Sequence, residues 1–423
     1  MRNLLASSLC LLLAACGGSQ EAAPDLEERL VKPEGALRVA TFNVSLFRDK
    51  EGQLVEDMMR GDDPQIQAIA DIILKVDPDV LVLNEIDWHR DFIPLGVFRD
   101  NYLTAPPNDA GIKPLSWPFI TMIPSNTGLN PGTIDFDNNG EIVTEPGSAA
   151  YAGDSFGYGK FTGQYGMAIL SKKRILSEFS RSFKQFKWRD MPGNLVPTDY
   201  YGEEAQEVFR LSSKNHVDIP VGVGNHELHL LMMHPTPPTF DGPEDRNGRR
   251  NHDEIRFFAD YITPDKSDYI YDDAWLNTNG EKGRKGGLGE GRRFVILGDF
   301  NADPNDGDSI SGAIQQLLDH PAIVDPKPES NGGWTAAAEQ GGANDSHKGP
   351  HELDTADFRD EGNAAAGNLR IDYVLPSRFG LEVVNAGVYW PQSGEAGYEL
   401  VGSGYPPISS DHRLVWVDLI VKD

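Results

Sequence analysis

Polar side chains recur in this sequence where apolar segments end. Most of them are carboxylates or amides, and two are histidines. Because strand ends lie along one edge of a sheet, we expect these side chains to converge there. An oxygen-rich edge suits Mg²⁺, Mn²⁺ or Ca²⁺ better than a thiophilic metal, and an imidazole beside a carboxylate can transfer protons. The candidate residues are Asn43 in ATFNVS, Glu85 in LVLNEID, His234 in HLLMMHPTPP, Asp299 and Asn301 in FVILGDFNAD, Asp372 in RIDYVL, and Asp411 and His412 in SSDHRL.

The apolar segments that carry these residues have the pattern of buried strands. Residues 37–43 alternate apolar and polar side chains, and residues 79–84 are almost continuously apolar. Between them, Asp63 and Pro64 form a cap and a first-turn proline, and isoleucines follow at helical spacing. The chain therefore opens as strand, helix, strand. Further strands are predicted at 166–170, 218–223, 227–233, 293–297, 369–375 and 414–419, with helices near 250–261 and 309–318.

Long stretches rich in Gly, Pro, Asn and Asp separate these elements. They cover residues 88–160, 180–213, 263–292 and 324–368. Loops of that size usually carry binding function or are disordered. We therefore predict one α/β or α+β domain with several insertions rather than two domains.

Composition excludes some classes of protein. The 65 Asp and Glu residues against 38 Lys and Arg residues give a formal net charge of −27. A chain this acidic repels a phosphate backbone, so general nucleic-acid binding is disfavoured. The two cysteines, Cys10 and Cys16, stand near the N-terminus, so the body of the protein has neither a disulfide framework nor a cysteine metal cluster.

The order of the motifs resembles the endonuclease/exonuclease/phosphatase family, which has the DNase I-like fold. TFNVS is similar to the family's first Asn motif, LNEID to its metal-binding Glu motif and LGDFNAD to its G-D-x-N motif. RIDYVL is similar to its Asp-Tyr strand, and SSDH to its C-terminal S-D-H. The resemblance implies a four-layer αββα sandwich of two packed mixed β-sheets over residues 37–421, with long insertions.

The resemblance also implies a metal site. Glu85 would be the principal metal carboxylate, with Asn43 beside it and Asp411 as a further ligand. The cation implied is Mg²⁺ before Mn²⁺ or Ca²⁺.

The remaining motif residues would act on the water and the phosphate. By the resemblance, Asp299 and Asn301 hold the attacking water and the scissile phosphate, and His412, oriented by Asp372, acts on the water or stabilises the transition state. His234 matches a phosphate-binding position. Its acidic partner is not evident, because the equivalent strand, GQYGMAIL, contains no carboxylate.

Three functions remain open from the sequence. The first is a phosphoesterase that acts on phosphorylated small molecules or phosphodiesters, and the second is an extracellular nuclease, which the net charge disfavours. The third is a non-catalytic surface-binding lipoprotein, which has no need of the whole motif set. The segment after His234 enters a helix, so we expect Arg249 or Arg250 to contact the substrate. We expect a monomer.

The N-terminus resembles a bacterial lipoprotein signal. Arg2 precedes a short apolar run at 4–15, and Cys16 follows small residues. The resemblance implies removal of residues 1–15, lipidation of Cys16, and a flexible tether over residues 16–36. We expect an exported protein that is anchored to the cell envelope by lipid, at the outer membrane, or released.

Two weaker patterns keep alternative interpretations. Residues 135–140, DFDNNG, match the start of a calcium loop, but Pro146 stands at the twelfth position, where a glutamate is expected. The alternative is a turn rich in Asp and Asn. Residues 181–189, RSFKQFKWR, suit stacking on nucleic acid or an anionic headgroup, but an edge strand or loop that covers the core is favoured.

Overall fold

A computed structural model describes residues 25–105, 114–362, 365–402 and 407–423. The strands are β1 Leu37–Leu46, β2 Val80–Ile86, β3 Phe119–Ile123, β4 Gly166–Ser171, β5 Arg181–Ser182, β6 Val217–Val223, β7 His226–Met232, β8 Arg293–Asp299, β9 Ala356–Asp357, β10 Asn368–Leu369, β11 Asp372–Pro376, β12 Leu381–Val388 and β13 Val415–Val421. The α-helices are α1 Leu26–Leu30, α2 Gln53–Arg60, α3 Pro64–Val76, α4 Ile93–Phe98, α5 Ala149–Gly153, α6 Glu203–Val208, α7 Arg246–Tyr261, α8 Asp273–Asn277, α9 Gln315–Leu318, α10 Asn331–Gln340 and α11 Tyr398–Val401.

The strands form two mixed sheets and a two-stranded ribbon of β9 and β10. The six-stranded sheet has the order β12-β13-β1-β2-β4-β3, and the five-stranded sheet has the order β11-β8-β7-β6-β5. One pair is parallel in each sheet: β1 with β2, and β7 with β8. The parallel pairs place the end of β1 beside the end of β2, and the end of β7 beside the end of β8.

Alternating side chains of the five-stranded sheet enter two different cores. In β7, Leu228 and Leu230 join the core shared with the six-stranded sheet, while Leu231 joins the core that contains Phe257 and Phe258 of α7. Helix α3 packs its isoleucines into the first core. The order of layers is helix, sheet, sheet, helix, so the predicted αββα sandwich is confirmed.

Helix α3 begins where the sequence predicts. The Asp63 side chain accepts hydrogen bonds from the backbone nitrogens of Gln65, at 2.9 Å, and Ile66, at 3.3 Å. These bonds satisfy donors that have no partner within the helix, and Pro64 loses no bond at the first position.

Two predicted elements differ in the structure. The strand predicted at 369–375 is broken, because the Arg370 nitrogen donates to Asp303 Oδ2 at 2.7 Å and the Ile371 nitrogen donates to Thr355 Oγ1 at 3.0 Å. The helix predicted at 309–318 is reduced to α9, because Gly312 has a φ of 89°, which a right-handed helix cannot contain.

The aromatic side chains of residues 181–189 face the core. Phe183, Phe186 and Trp188 are at most 1% exposed, and Arg181 Nε donates to Asp272 Oδ2 at 2.9 Å. The segment covers the core, as favoured, and its rings are not available for stacking on a nucleic acid.

The predicted signal peptide and Cys16 lie outside the described residues. Part of the predicted tether is ordered: α1 falls within it, Leu26 is buried, and Arg29 Nη1 donates to the carbonyl oxygen of Glu329 at 2.7 Å. None of the helices in the described part of the chain has the length and apolar content that crossing a membrane requires.

Candidate active site

Two bulges at the ends of neighbouring strands redirect site residues. Register shifts occur between Asn43 and Leu46 in β1 and between Asn84 and Ile86 in β2. Within these shifts Ser45 has a φ of 47° and Glu85 a φ of 60°. Left-handed backbone at non-glycine residues is costly and is concentrated at functional sites. We call the edge of the sheets where these strands end the rim. Glu85 lines a cleft at the rim.

The five-stranded sheet supplies the opposite side of the rim. Asp299 ends β8 and pairs directly with Asp372, the first residue of β11. His234 follows the end of β7, the parallel neighbour of β8. Asn301 has a φ of 51° and donates its backbone N–H to Asp299 Oδ1 at 2.9 Å. Strand pairing therefore brings together motifs that are far apart in sequence.

Asp299 Oδ2 is the point where these side chains meet. It accepts a hydrogen bond from Asn43 Nδ2 at 3.0 Å, and it lies 3.3 Å from His234 Nε2 and 3.7 Å from His412 Nε2. Burial alone would raise the pKa of Asp299, but the charge of His412 outweighs burial, with His234 close beside it, and holds that pKa well below its usual range. Asp299 is therefore an ionised carboxylate.

His412 and Asp372 form a buried pair. The distance from His412 Nδ1 to Asp372 Oδ2 is 2.8 Å, and Thr355 Oγ1 donates to the same oxygen at 2.9 Å. We assign a proton to Nδ1 because its partner is a carboxylate, which leaves Nε2 facing the rim. Burial opposes the charge on His412, but Asp372 and Asp299 outweigh it and raise the His412 pKa well above its ordinary value. His412 is a cation held in a fixed orientation.

Glu85, His234 and Asp299 could hold a metal ion. One ligand atom from each lies within 4.8 Å of the others. Burial raises the pKa of Glu85 to about 7, and the negative charge of Asp411 adds to the effect. Two carboxylates beside an imidazole fit a divalent cation, which would relieve their repulsion.

His234 lies close to carboxylates that the sequence did not identify as its partners. Its Nε2 is 3.3 Å from Asp299 Oδ2 and 3.9 Å from Glu85 Oε1. Among the described residues, neither ring nitrogen meets the geometry of a hydrogen bond. Burial lowers the pKa of His234 to about 4, so the ring is neutral and can act as a ligand. Gln164 is occupied elsewhere, because its Nε2 donates to the Arg48 carbonyl oxygen at 2.7 Å.

Asn43 and Asp411 connect the site to the end of β1. The Asn43 amide bridges the two sheets, since Nδ2 donates to Asp299 and Oδ1 accepts from the Ser45 nitrogen at 3.2 Å. Asp411 Oδ1 accepts from Ser45 Oγ at 3.0 Å, and Asp411 lines the cleft near Glu85. The metal-binding roles of both residues stay predictions.

A cleft of 1130 Å³ opens at the rim. Insertions supply much of its wall, including aromatic side chains that the sequence did not assign to the site. These are Phe136, Tyr158, Tyr201 and Phe209, and Phe47, Tyr165 and Phe240 join them from outside the insertions. The cleft is wide enough for a drug-sized or larger organic molecule.

The two predicted substrate-binding arginines have different positions. Arg250 lines the cleft, but its guanidinium donates to the carbonyl oxygens of Leu211, at 2.8 Å, and Phe156, at 2.6 Å. It therefore braces the cleft wall. Arg249 is not among the residues that line the cleft. Substrate contact by either arginine stays a prediction.

Sequence reasoning missed two residues of the site. Asn84 Oδ1 accepts from the Asp299 nitrogen at 3.3 Å and so fixes Asp299 across the sheets. Its position directly before Glu85 in LNEID was an available signal. Lys214, which is 6% exposed, also lines the cleft. Only its place just before the strand predicted at 218–223 marked it in the sequence.

The possible calcium loop contains a group of carboxylates. Side-chain oxygens of Asp135, Asp137 and Asp154 lie within 4.8 Å of one another. The loop's own backbone occupies several of these oxygens, since Gly140 N donates to Asp135 at 2.8 Å and Val143 N donates to Asp154 at 2.8 Å. Calcium binding here stays a prediction.

A comparison with protein-family models agrees with the fold and with the chemistry of the rim. The model of the Endonuclease/Exonuclease/phosphatase family matches residues 40–412, most of the chain, and the protein belongs to that family. Endonucleases, exonucleases and phosphatases all hydrolyse phosphoester bonds, so this protein is a phosphoester hydrolase.

Several solved structures are similar to the chain at low sequence identity. An endonuclease/exonuclease/phosphatase from Beutenbergia cavernae is 17% identical, with a TM-score of 0.47, covering 92% of this chain and 72% of that chain. A family protein from Leptotrichia buccalis is 14% identical, with a TM-score of 0.43 and coverages of 90% and 98%. The human nocturnin catalytic domain with bound sulfate is 14% identical, with a TM-score of 0.44 and coverages of 92% and 96%. Comparison with curated protein sequences gives no match.

Proposed function

We propose that the protein is a metal-dependent phosphoesterase that hydrolyses phosphate mono- or diesters of small molecules by attack of water. The observation that carries this proposal is the pairing of His412 with Asp372 at 2.8 Å, with His412 Nε2 3.7 Å from Asp299 Oδ2 at the rim. A fixed imidazolium opposite a carboxylate can stabilise a phosphate while it reacts with water.

The residues divide the work by charge. His412 Nε2–H can donate to a phosphate oxygen as negative charge develops there. Asp299 has a lowered pKa, so its carboxylate is a weak base. It can orient the attacking water but is poorly suited to keeping a proton taken from that water. When bound at Glu85, a divalent cation would supply further positive charge for the phosphate.

The substrate class follows from the cleft and the overall charge. Aromatic side chains line the 1130 Å³ cleft, which supports an ester with an apolar or aromatic group. The net charge of −27 opposes a long polyanion. Both observations favour a small phosphate ester over DNA or RNA.

A substrate panel on one preparation of full-length protein tests the proposal. The panel consists of p-nitrophenyl phosphate, bis-p-nitrophenyl phosphate, a sugar phosphate, phytate, sphingomyelin and plasmid DNA, each with Mg²⁺, Mn²⁺ or Ca²⁺ and with EDTA. We expect EDTA-sensitive hydrolysis of a small ester. Cleavage of DNA alone would favour the nuclease alternative, and no hydrolysis of any substrate would contradict the proposal.

We also propose export, lipidation at Cys16, and a monomeric state. The support for export and lipidation is the signal-like order of Arg2, the apolar residues 4–15 and Cys16. Intact-mass measurement of protein from bacterial membranes should give a chain that begins at Cys16 and carries lipid. A chain that retains residues 1–15 would contradict this.

A further inference from the structure

Lys214 is a lysine in the cleft wall whose side-chain nitrogen has no bonded partner within the described part of the chain. It is 6% exposed and lines the cleft together with Glu85 and Asp411. Among the described residues, its ammonium forms no hydrogen bond and has no carboxylate oxygen within 4.0 Å. The side chain is packed into the cleft wall, but its nitrogen is open to the cleft and unbonded by the protein, so it can offer a charge-assisted hydrogen bond to a negatively charged ligand.

The backbone around Lys214 is rigidly held. Glu254 accepts from the Ser213 nitrogen at 2.7 Å through one oxygen and from the Thr236 nitrogen at 2.6 Å through the other. This carboxylate ties the Lys214 loop to the segment just after His234. The Lys214 carbonyl oxygen also accepts from the Asn126 nitrogen at 2.8 Å. A loop fixed before binding loses less entropy when the ligand arrives.

The surroundings of Lys214 match a phosphate bound at the rim. Burial lowers its pKa, while Glu254, Glu85 and Asp299 act at longer range to favour its charge. Those carboxylates draw cationic groups to the site, but they leave the ammonium itself unbonded. An anion placed between Lys214 and the rim would complete its hydrogen bonding.

We propose that Lys214 binds a non-bridging oxygen of the substrate phosphate. This inference rests on the proposed function and adds a residue that none of the family motifs contains. Coulomb attraction grows with ligand charge, so a dianionic monoester gains more from Lys214 than a monoanionic diester does.

The test uses full-length protein and three variants: Lys214→Met, Lys214→Arg and the control Lys184→Met. Lys184 is a half-buried lysine that does not line the cleft. Binding of inorganic phosphate is measured by calorimetry in EDTA, and kcat and KM are measured with p-nitrophenyl phosphate and bis-p-nitrophenyl phosphate. We expect Lys214→Met to weaken phosphate binding and raise KM by about tenfold or more, the scale of one bond to a charged group. The loss should be larger for the monoester, Lys214→Arg should recover part of it, and Lys184→Met should match the wild type.

The outcomes separate this inference from the proposed function. If Lys214→Met binds phosphate like the wild type, or loses equally on both esters, the inference is wrong and Lys214 only balances the charge of the carboxylates. If the wild type hydrolyses no ester but binds phosphate through Lys214, the proposed function fails and the inference stands. If Lys214→Met does not fold, Lys214→Gln replaces it under the same criteria. If that variant also fails, phosphate protection of Lys214 from acetylation in the wild type decides the question: protection supports the inference, and unchanged acetylation overturns it.

Discussion

The two ends of strand β1 bury charge in opposite ways. At its start, Arg38 donates to both oxygens of Asp418 at 2.7 Å and to the Val76 carbonyl oxygen at 2.7 Å. At its other end, Glu85 and Lys214 line the cleft, and among the described residues neither makes a hydrogen bond through its ionisable group. The first arrangement is complete within the protein, whereas the second lacks ligands.

This difference distinguishes a structural ion pair from a binding site. Beside Glu85 and Lys214, both ring nitrogens of His234 are buried without a hydrogen bond within the described part of the chain, and such exceptions are rare in folded proteins. At the rim, a cation near Glu85 and a phosphate near Lys214 would supply the missing partners. The same reasoning predicts that the two ends respond differently to mutation.

The largest expected effect is on stability, at the start of β1. Arg38→Met leaves Asp418 buried and unpaired, so we expect a loss of about 3–5 kcal/mol in the free energy of unfolding. Urea denaturation measures this loss, and kcat of the folded fraction should not change. The double variant Arg38→Met/Asp418→Leu should recover much of the loss. A loss below about 1 kcal/mol would contradict the difference that we infer between the two ends of β1.

At the rim, we expect mutation to affect activity more than stability. His412→Ala removes the fixed imidazolium, so kcat should fall by at least about a hundredfold. The control is His226→Ala, a histidine at the other end of β7 that pairs with Asp423 at 3.1 Å. Near-normal turnover of His412→Ala would exclude His412 from the catalytic residues.

Metal binding should stabilise the wild type more than a rim variant. At a hundred times its dissociation constant, a cation that binds only the folded state adds about 2.7 kcal/mol. Thermal unfolding with Mg²⁺ or Mn²⁺ measures this gain, and Glu85→Gln should lose most of it at the same concentration. An equal gain in both proteins would mean that the cation binds elsewhere.

The smallest expected effect is on the pH dependence of stability, at Asp354. In how far its carboxyl group is bonded, Asp354 is intermediate between the two ends of β1. Its Oδ2 lies 2.8 Å from His351 Nδ1, and burial, with help from Asp303 and Asp306, raises its pKa to about 9. The folded protein therefore keeps a proton that the unfolded chain releases near pH 4. Stability from this group should fall as pH rises from about 4 to about 9. The melting temperature of Asp354→Asn, relative to that of the wild type, should therefore rise as the pH increases from 5 to 8.5. An unchanged difference would contradict the raised pKa.

Local signals predicted much of the fold. Asp63 and Pro64 marked the start of α3, because a cap and a first-turn proline act within one turn of helix. The strand expected at 369–375 was interrupted because its backbone nitrogens donate to side chains of Asp303 and Thr355, which lie outside the segment. Such bonds leave no local pattern.

The residues of the site likewise divide into those that local sequence predicts and those that it does not. The motif around Glu85 could be read from the sequence, and its side chain lies at the rim beside Asp299 and His234. Lys214 could not be identified, because its position depends on Glu254 of α7, which holds the preceding residue through a tertiary hydrogen bond. Motifs locate residues that a family shares, whereas insertions shape the rest of the cleft.

The most direct test of the central claim is the hydrolysis of p-nitrophenyl phosphate and bis-p-nitrophenyl phosphate while Mg²⁺ or Mn²⁺ is varied. We expect saturable, metal-dependent hydrolysis of at least one ester by the wild type. Glu85→Gln should need at least about ten times more metal for half-maximal rate, since it loses one charged ligand. Hydrolysis that EDTA does not change, or identical metal curves for the two proteins, would contradict the account.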